Sequence, residues 1–131
     1  MILINIKTSV VKELMLVGYV LLGAGVFVFV LSAVTLRSKG VNHITDSGIY
    51  GIIRHPMYLG AMIMFFSHAF FGQSWMIIIS TAIGMGCCYL SMLYEDQRNI
   101  EKFGDDYLRY MKRVPRMNAL SGLARLIQSV K

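Results

Sequence analysis

Residues 56–94 read PMYLGAMIMFFSHAFFGQSWMIIISTAIGMGCCYLSMLY, 39 positions whose only ionisable nitrogen is that of His68. A hydrocarbon core of about 30 Å takes roughly 20 apolar residues per helical crossing. The run is therefore too long for one helix and suits two joined by a tight turn. Gly72-Gln73-Ser74 is the natural place for that turn, which predicts a helical hairpin with arms 57–71 and 75–94. At about 1.5 Å per residue the first arm is short for a full crossing. Tilt, local thinning of the bilayer or a re-entrant path would each accommodate it.

Upstream, Leu14 to Leu36 supplies 23 residues without a charge, enough for a first crossing. A signal peptide is the alternative for this segment, but the run exceeds an apolar core of about 7–15 residues and Thr35-Leu36-Arg37-Ser38 does not resemble a cleavage site. The composition agrees with a bilayer: 56% of residues are hydrophobic and only 15% charged, outside the balance of a soluble domain. The expected fold is all-α, an integral membrane bundle of about three transmembrane helices (14–36, 57–71, 75–94). The 131 residues form a single domain.

Three crossings place the loop 37–55 and the tail after Tyr94 on one side. That side carries eleven basic residues against Lys7 and Lys12 on the other, so the positive-inside rule makes loop and tail cytoplasmic and the protein multi-pass. The net charge of +6 has this explanation, and nucleic acid is not expected as a partner. Adjacent Cys87 and Cys88 are read as packing residues, because a disulfide between neighbours is strained and no third soft ligand stands at metal-binding spacing. No metal is expected.

The tail is patterned. Ile100, Phe103, Tyr107, Tyr110 or Met111, and Val114 recur at helical spacing between charges, which predicts an amphipathic helix. The hairpin's second helix should run on to Phe103, with Gly104 as C-cap and a second helix from Asp105 to the stop at Pro115, lying along the membrane surface with its basic face toward anionic headgroups. Ser121–Lys131 is weakly amphipathic. Ser38-Lys39-Gly40 and Asp46-Ser47-Gly48 read as turns.

Two polar clusters flank the hairpin: Tyr50 to Gly60, where the loop enters the first arm, and Glu95-Asp96, where the second arm leaves the apolar run. A tight hairpin brings them together. Arg54 offers a planar fork of donors for a carboxylate, although a snorkelling role at the interface also suits it. Tyr50 and Tyr58 fit an aromatic belt, Glu95 and Asp96 a solvated helix end, and His68 a polar contact between helices. Gly60, one turn after Pro56, permits close approach of a helix or a ligand. It is the convergence of these residues at one mouth that points to chemistry.

The order Gly48-Ile49-Tyr50, R-H-P-M-Y-L-G at 54–60, an uncharged hairpin, Glu95-Asp96, F-G-D-D-Y at 103–107, Tyr110 and R-V-P at 113–115 resembles the isoprenylcysteine carboxyl methyltransferase and phospholipid methyltransferase superfamily. The resemblance covers a motif core at about 45–116. It implies an integral membrane methyltransferase with S-adenosylmethionine as methyl donor and no metal. It also implies a pocket lined by Tyr50, Arg54, His55, Pro56, Tyr58 and Glu95, with Arg54 and Glu95 as the catalytic pair. Membrane lipids surround such a protein, and its acceptor would be lipidic or isoprenoid, methylated on a carboxyl, amine or hydroxyl group. Glu95, Asp96 and His55 are the candidate proton acceptors. Other readings are a non-enzymatic membrane subunit or degenerate relative, and a nicotinamide-dependent membrane reductase. Gly18, Gly23, Gly25, Gly84 and Gly86 in the spans raise homo-oligomerisation.

Overall fold

The structure is a computed structural model. It describes residues 2–40, 42–72 and 74–129, and the side chains of all of these except 2–9, 119, 123, 126 and 129. The described residues form helices and no strand: α1 (Ile2–Lys39), α2 (Ile49–Ile52), α3 (Pro56–Phe71), α4 (Trp75–Phe103), α5 (Asp105–Arg113) and α6 (Ala119–Ser129). Gln73 of the expected turn, the side chain of Lys7 and the last two residues of the tail lie outside the described residues.

The hairpin is present, with α3 and α4 separated at the expected turn. Of the three expected crossings, two, α1 and α4, are long and apolar enough to cross a membrane by length and composition among the described residues, and α3 is a shorter apolar helix. The 16 residues of α3 reach about 24 Å, short of the hydrocarbon thickness. The first helix also exceeds its expected bounds of 14–36. Nothing in residues 2–13 interrupts a helix, and it continues to Lys39 before Gly40, at φ 80°, ends it in the left-handed conformation that glycine tolerates. Ser38 and Lys39 therefore belong to a helix, whereas Ser47 and Gly48 lie in the expected turn, which leads into the short α2.

The middle helix α3 packs against α1 on one side and α4 on the other. Its crossing with α1 is set by glycines. A Cβ on Gly60 would stand 2.7 Å from the Phe29 amide nitrogen and 2.8 Å from the Gly25 carbonyl oxygen, and a Cβ on Gly25 would stand 2.9 Å from the Gly60 carbonyl oxygen. Of the two readings of Gly60, the close neighbour is a helix. Gly18 likewise meets Phe70 and Phe71, and Gly84 meets Phe65, whereas Gly23 and Gly86 face open space. Because the atoms crowding Gly60 are backbone, no rotamer change relieves a larger side chain. Gly60→Leu is expected to lose about 1–3 kcal/mol by forcing the helices apart. Gly86→Leu, with nothing within 4 Å, serves as control. Equal thermal midpoints for the two variants in detergent would contradict this crossing.

Large apolar side chains such as Leu16, Val20, Phe27, Val34, Ile78, Ile83 and Leu90 are exposed along α1 and α4, as a lipid-facing surface requires. The extension of α4 to Phe103, the Gly104 cap at φ 58° and the start of α5 at Asp105 follow the sequence expectation. The placement of α5 differs from it. Tyr107, Tyr110 and Val114 are buried against Ile44, Ile100, Phe103 and Met111, so its apolar face is covered by the chain's own loop and α4 rather than left for a bilayer. Two phenols make the difference, because each finds a buried acceptor there that hydrocarbon could not supply.

Candidate active site

Loop and tail meet at the polar end of the helices, and the meeting starts with a backbone constraint. Proline disfavours helical geometry in the residue before it. His55 accordingly lies outside the helical region (φ −124°, ψ 58°), Ile53 is extended (φ −133°, ψ 134°) with its amide still bonded to the Ile49 carbonyl, and the Arg54 and His55 amides are left unpaired by either helix. Buried amides need partners. The tail provides them: the Arg54 amide donates to the Pro115 carbonyl at 3.0 Å and the His55 amide to the Arg116 carbonyl at 3.2 Å. Tyr110 Oη donates to the Tyr50 carbonyl at 2.7 Å, and Arg113 pairs with Asp46 at 3.1 Å.

Asp96 ties the same segments together through side chains. Its Oδ1 lies 2.7 Å from His55 Nε2 and accepts from Tyr107 Oη at 2.8 Å. Its Oδ2 accepts from Arg116 Nε at 3.2 Å and lies 3.4 Å from Arg54 Nη2. An ionised carboxylate only accepts, so the bonded His55 Nε2 carries the proton. With about four lone-pair positions on a carboxylate, Asp96 is saturated. It is also only 4% exposed, so the solvated helix end expected at this position is corrected: the R-H-P segment and the tail fold over it.

Asp96 stands beyond Tyr94, where the apolar run of α4 ends. Burial raises its carboxyl, but the hydrogen bonds from His55 and Tyr107 and the attraction of His55 and Arg54 outweigh burial and hold it at about 2, against an ordinary 3.8. A carboxyl more acidic in the folded than in the unfolded chain adds stability in full above its unfolded value near 3.8 and loses it as pH falls toward about 2. The thermal midpoint of the wild type should therefore drop across this window, and that of Asp96→Asn should drop less. Parallel curves would refute the coupling. Burial raises Tyr107 and Tyr110, which stay protonated and able to donate. Burial, and then the charge of Glu95, push Tyr50 up to about 12.

One residue earlier on the same helix, Glu95 points elsewhere. Positions 95, 98, 99 and 102 share one helical stripe. Their side chains, Glu95, Arg98, Asn99 and Lys102, line a cavity of about 230 Å³ whose other walls include Tyr50, Arg54, His55, Tyr58, Thr45 and Leu36. Glu95 forms no ion pair with a described residue, and the Tyr58 phenol lies beside it. The His55 and Tyr58 rings meet edge to face at 5.8 Å between centroids. Thus Tyr50, Arg54, His55, Tyr58 and Glu95 are brought to one cavity. Pro56 is fully buried behind it and shapes the turn without lining the space. His68 is remote and bonds to the Met64 carbonyl of its own helix rather than across helices. Sequence reasoning missed Arg116, Asn99 and the hydroxyls of Tyr107 and Tyr110. The two tyrosines had registered as apolar positions of α5 and as motif residues, without a role for their hydroxyls.

A family model for phospholipid methyltransferases matches residues 13–106. The chain belongs to the phospholipid methyltransferase family. The match bears out the family resemblance read from the sequence, and with the two long apolar helices it marks this as a membrane methyltransferase fold. No curated protein and no solved structure matches the chain. The family match ends at 106, so Tyr107, Tyr110, Pro115 and Arg116, which close the site in this family member, stand beyond the matched segment.

Proposed function

We propose that the protein is a multi-pass integral membrane methyltransferase that uses S-adenosylmethionine and methylates a lipidic or isoprenoid acceptor, with loop and tail on the cytoplasmic side. The observation that carries this reading is the cavity at the polar end of the apolar helices, where Glu95, a carboxylate with no ion-pair partner among the described residues, shares the lining with Tyr50, Tyr58 and Arg54. Eleven basic residues in loop and tail support the orientation.

The lining suits the methyl donor. Arg54 Nε and Thr45 Oγ1 are buried polar atoms without a hydrogen-bond partner among the described residues, and both belong to cavity-lining side chains. Cation, carboxylate and aromatic faces in one space match the carboxylate, the hydroxyl and ammonium groups, and the adenine and sulfonium of the donor. The enclosed volume is below the ~300–1,000 Å³ of drug-sized sites, so a nucleoside-sized ligand extends past its mouth. When bound, S-adenosylmethionine supplies an already activated methyl group.

The chain's residues then have two tasks. Arg54, Tyr58 and Glu95 hold and orient what enters the cavity, and orientation of this kind contributes most of the rate when the leaving group is already activated. The second task depends on the acceptor. A carboxylate needs no base. An amine must lose a proton, and of the two carboxylates only Glu95 has capacity to take it, because both oxygens of Asp96 are engaged. Methyl-labelled S-adenosylmethionine given to the protein in lipid nanodiscs, with membrane-lipid extract or with water-soluble amines and carboxylates, tests this. Label extracted into organic solvent is the expected result. Label confined to water-soluble products overturns the lipidic acceptor, and a folded protein that neither binds nor transfers is a non-enzymatic subunit.

A further inference from the structure

With α5 packed on the chain itself, the amphipathic segment left with an uncovered apolar face is α6. Leu120 is 82% and Ile127 59% exposed, and Ala124 between them is exposed as well. Positions i, i+4 and i+7 share one face of a helix. Gly122 and Arg125 project from the other side. The Gly122 backbone rests so closely on the Ile52 carbonyl that a Cβ has no room, and Arg125 Nη1 reaches the carbonyls of Lys112 and Arg113 at 3.3 and 3.4 Å. One face of α6 is thus pinned to the protein and the opposite face is apolar and bare.

We propose that this face docks on the bilayer, seating Leu120, Ala124 and Ile127 at the headgroup boundary and anchoring the strap at Pro115 and Arg116 that closes the site. Height and charge select lipid as the occupant. Ile52 stands four positions before Pro56, the first residue of α3, so α6 is held where the apolar surface of the helices begins. That surface is already committed to lipid, and α6 continues it. Ala119–Ser129 contains no acidic residue, and Arg125 on α6 and Lys112, whose carbonyl it meets, form no ion pair with a described residue, which leaves positive charge beside the apolar face for anionic headgroups. The inference rests on membrane residence and is independent of the methyl donor.

The test moves the single tryptophan. Trp75→Phe combined with Leu120→Trp, and separately with Ile127→Trp, are reconstituted in phosphatidylcholine–phosphatidylglycerol vesicles with and without bromine on the acyl chains. Wild-type Trp75, exposed at the hairpin turn, gives the reference for lipid contact. Both relocated tryptophans are expected to emit at short wavelength and to lose most of their emission in brominated lipid. Unquenched, water-like emission overturns the proposal. So does an unquenched blue shift that grows with protein-to-lipid ratio, which would mean that a second copy covers the face.

Discussion

Asp96→Ala is expected to destabilise the protein by about 3–5 kcal/mol, the range for removing one partner from a buried ion pair. The size of the effect comes from what is left behind. Arg54, with a side chain only 5% exposed, keeps its charge and loses the carboxylate that balances it. His55 Nε2 and Tyr107 Oη lose their acceptor as well. The damage spreads because Asp96 joins three segments distant in sequence: the R-H-P crossing, α5 and the strap at Arg116. Tail release should accompany the loss, so trypsin should cut the variant after Arg113 and Arg116 in native membranes under conditions that spare the wild type. A variant as stable and as resistant as the wild type would mean that these donors find other partners and that Asp96 organises nothing.

Glu95→Gln is expected to behave in the opposite way, leaving the fold intact and lowering the affinity for S-adenosylmethionine about 10- to 100-fold, the loss of one charge-assisted hydrogen bond of ~1.5–3 kcal/mol. Glu95 has no ion pair with a described residue to lose, so the unfolding free energy should stay within ~0.5 kcal/mol of wild type. Arg54→Ala cannot make this distinction. Arg54 lines the cavity and also pairs with Asp96, so its removal disturbs binding and folding together. A large stability loss in Glu95→Gln, or unchanged donor affinity, would remove Glu95 from the role assigned to it.

The sequence made the hairpin legible because missing charge over 39 residues is a pattern that no single contact alters. The end of α4 at Phe103 was legible from Gly104 for a local reason, a left-handed cap. The shortness of the first arm was legible too, from its 15 expected residues against about 20 per crossing, and α3 has 16. The order Glu95-Asp96 could not reveal which acid turns inward. Neighbours on a helix differ by about 100°, and only the positions of His55, Tyr107 and Arg116 decide between them. The strap was hidden for a deeper reason. Its bonds from the Arg54 and His55 amides to the Pro115 and Arg116 carbonyls are backbone contacts, which leave no residue signature.

The cavity walled by the loop, the R-H-P crossing, α4 and α5 is proposed to receive the methyl donor. Titration calorimetry of S-adenosylmethionine into detergent-purified wild type and Glu95→Gln tests it most directly. Saturable one-to-one binding to the wild type, displaced by S-adenosylhomocysteine and weakened at least about tenfold in the folded variant, is the predicted result. Absence of binding to a wild-type sample that melts cooperatively, or equal binding by both proteins, would contradict it.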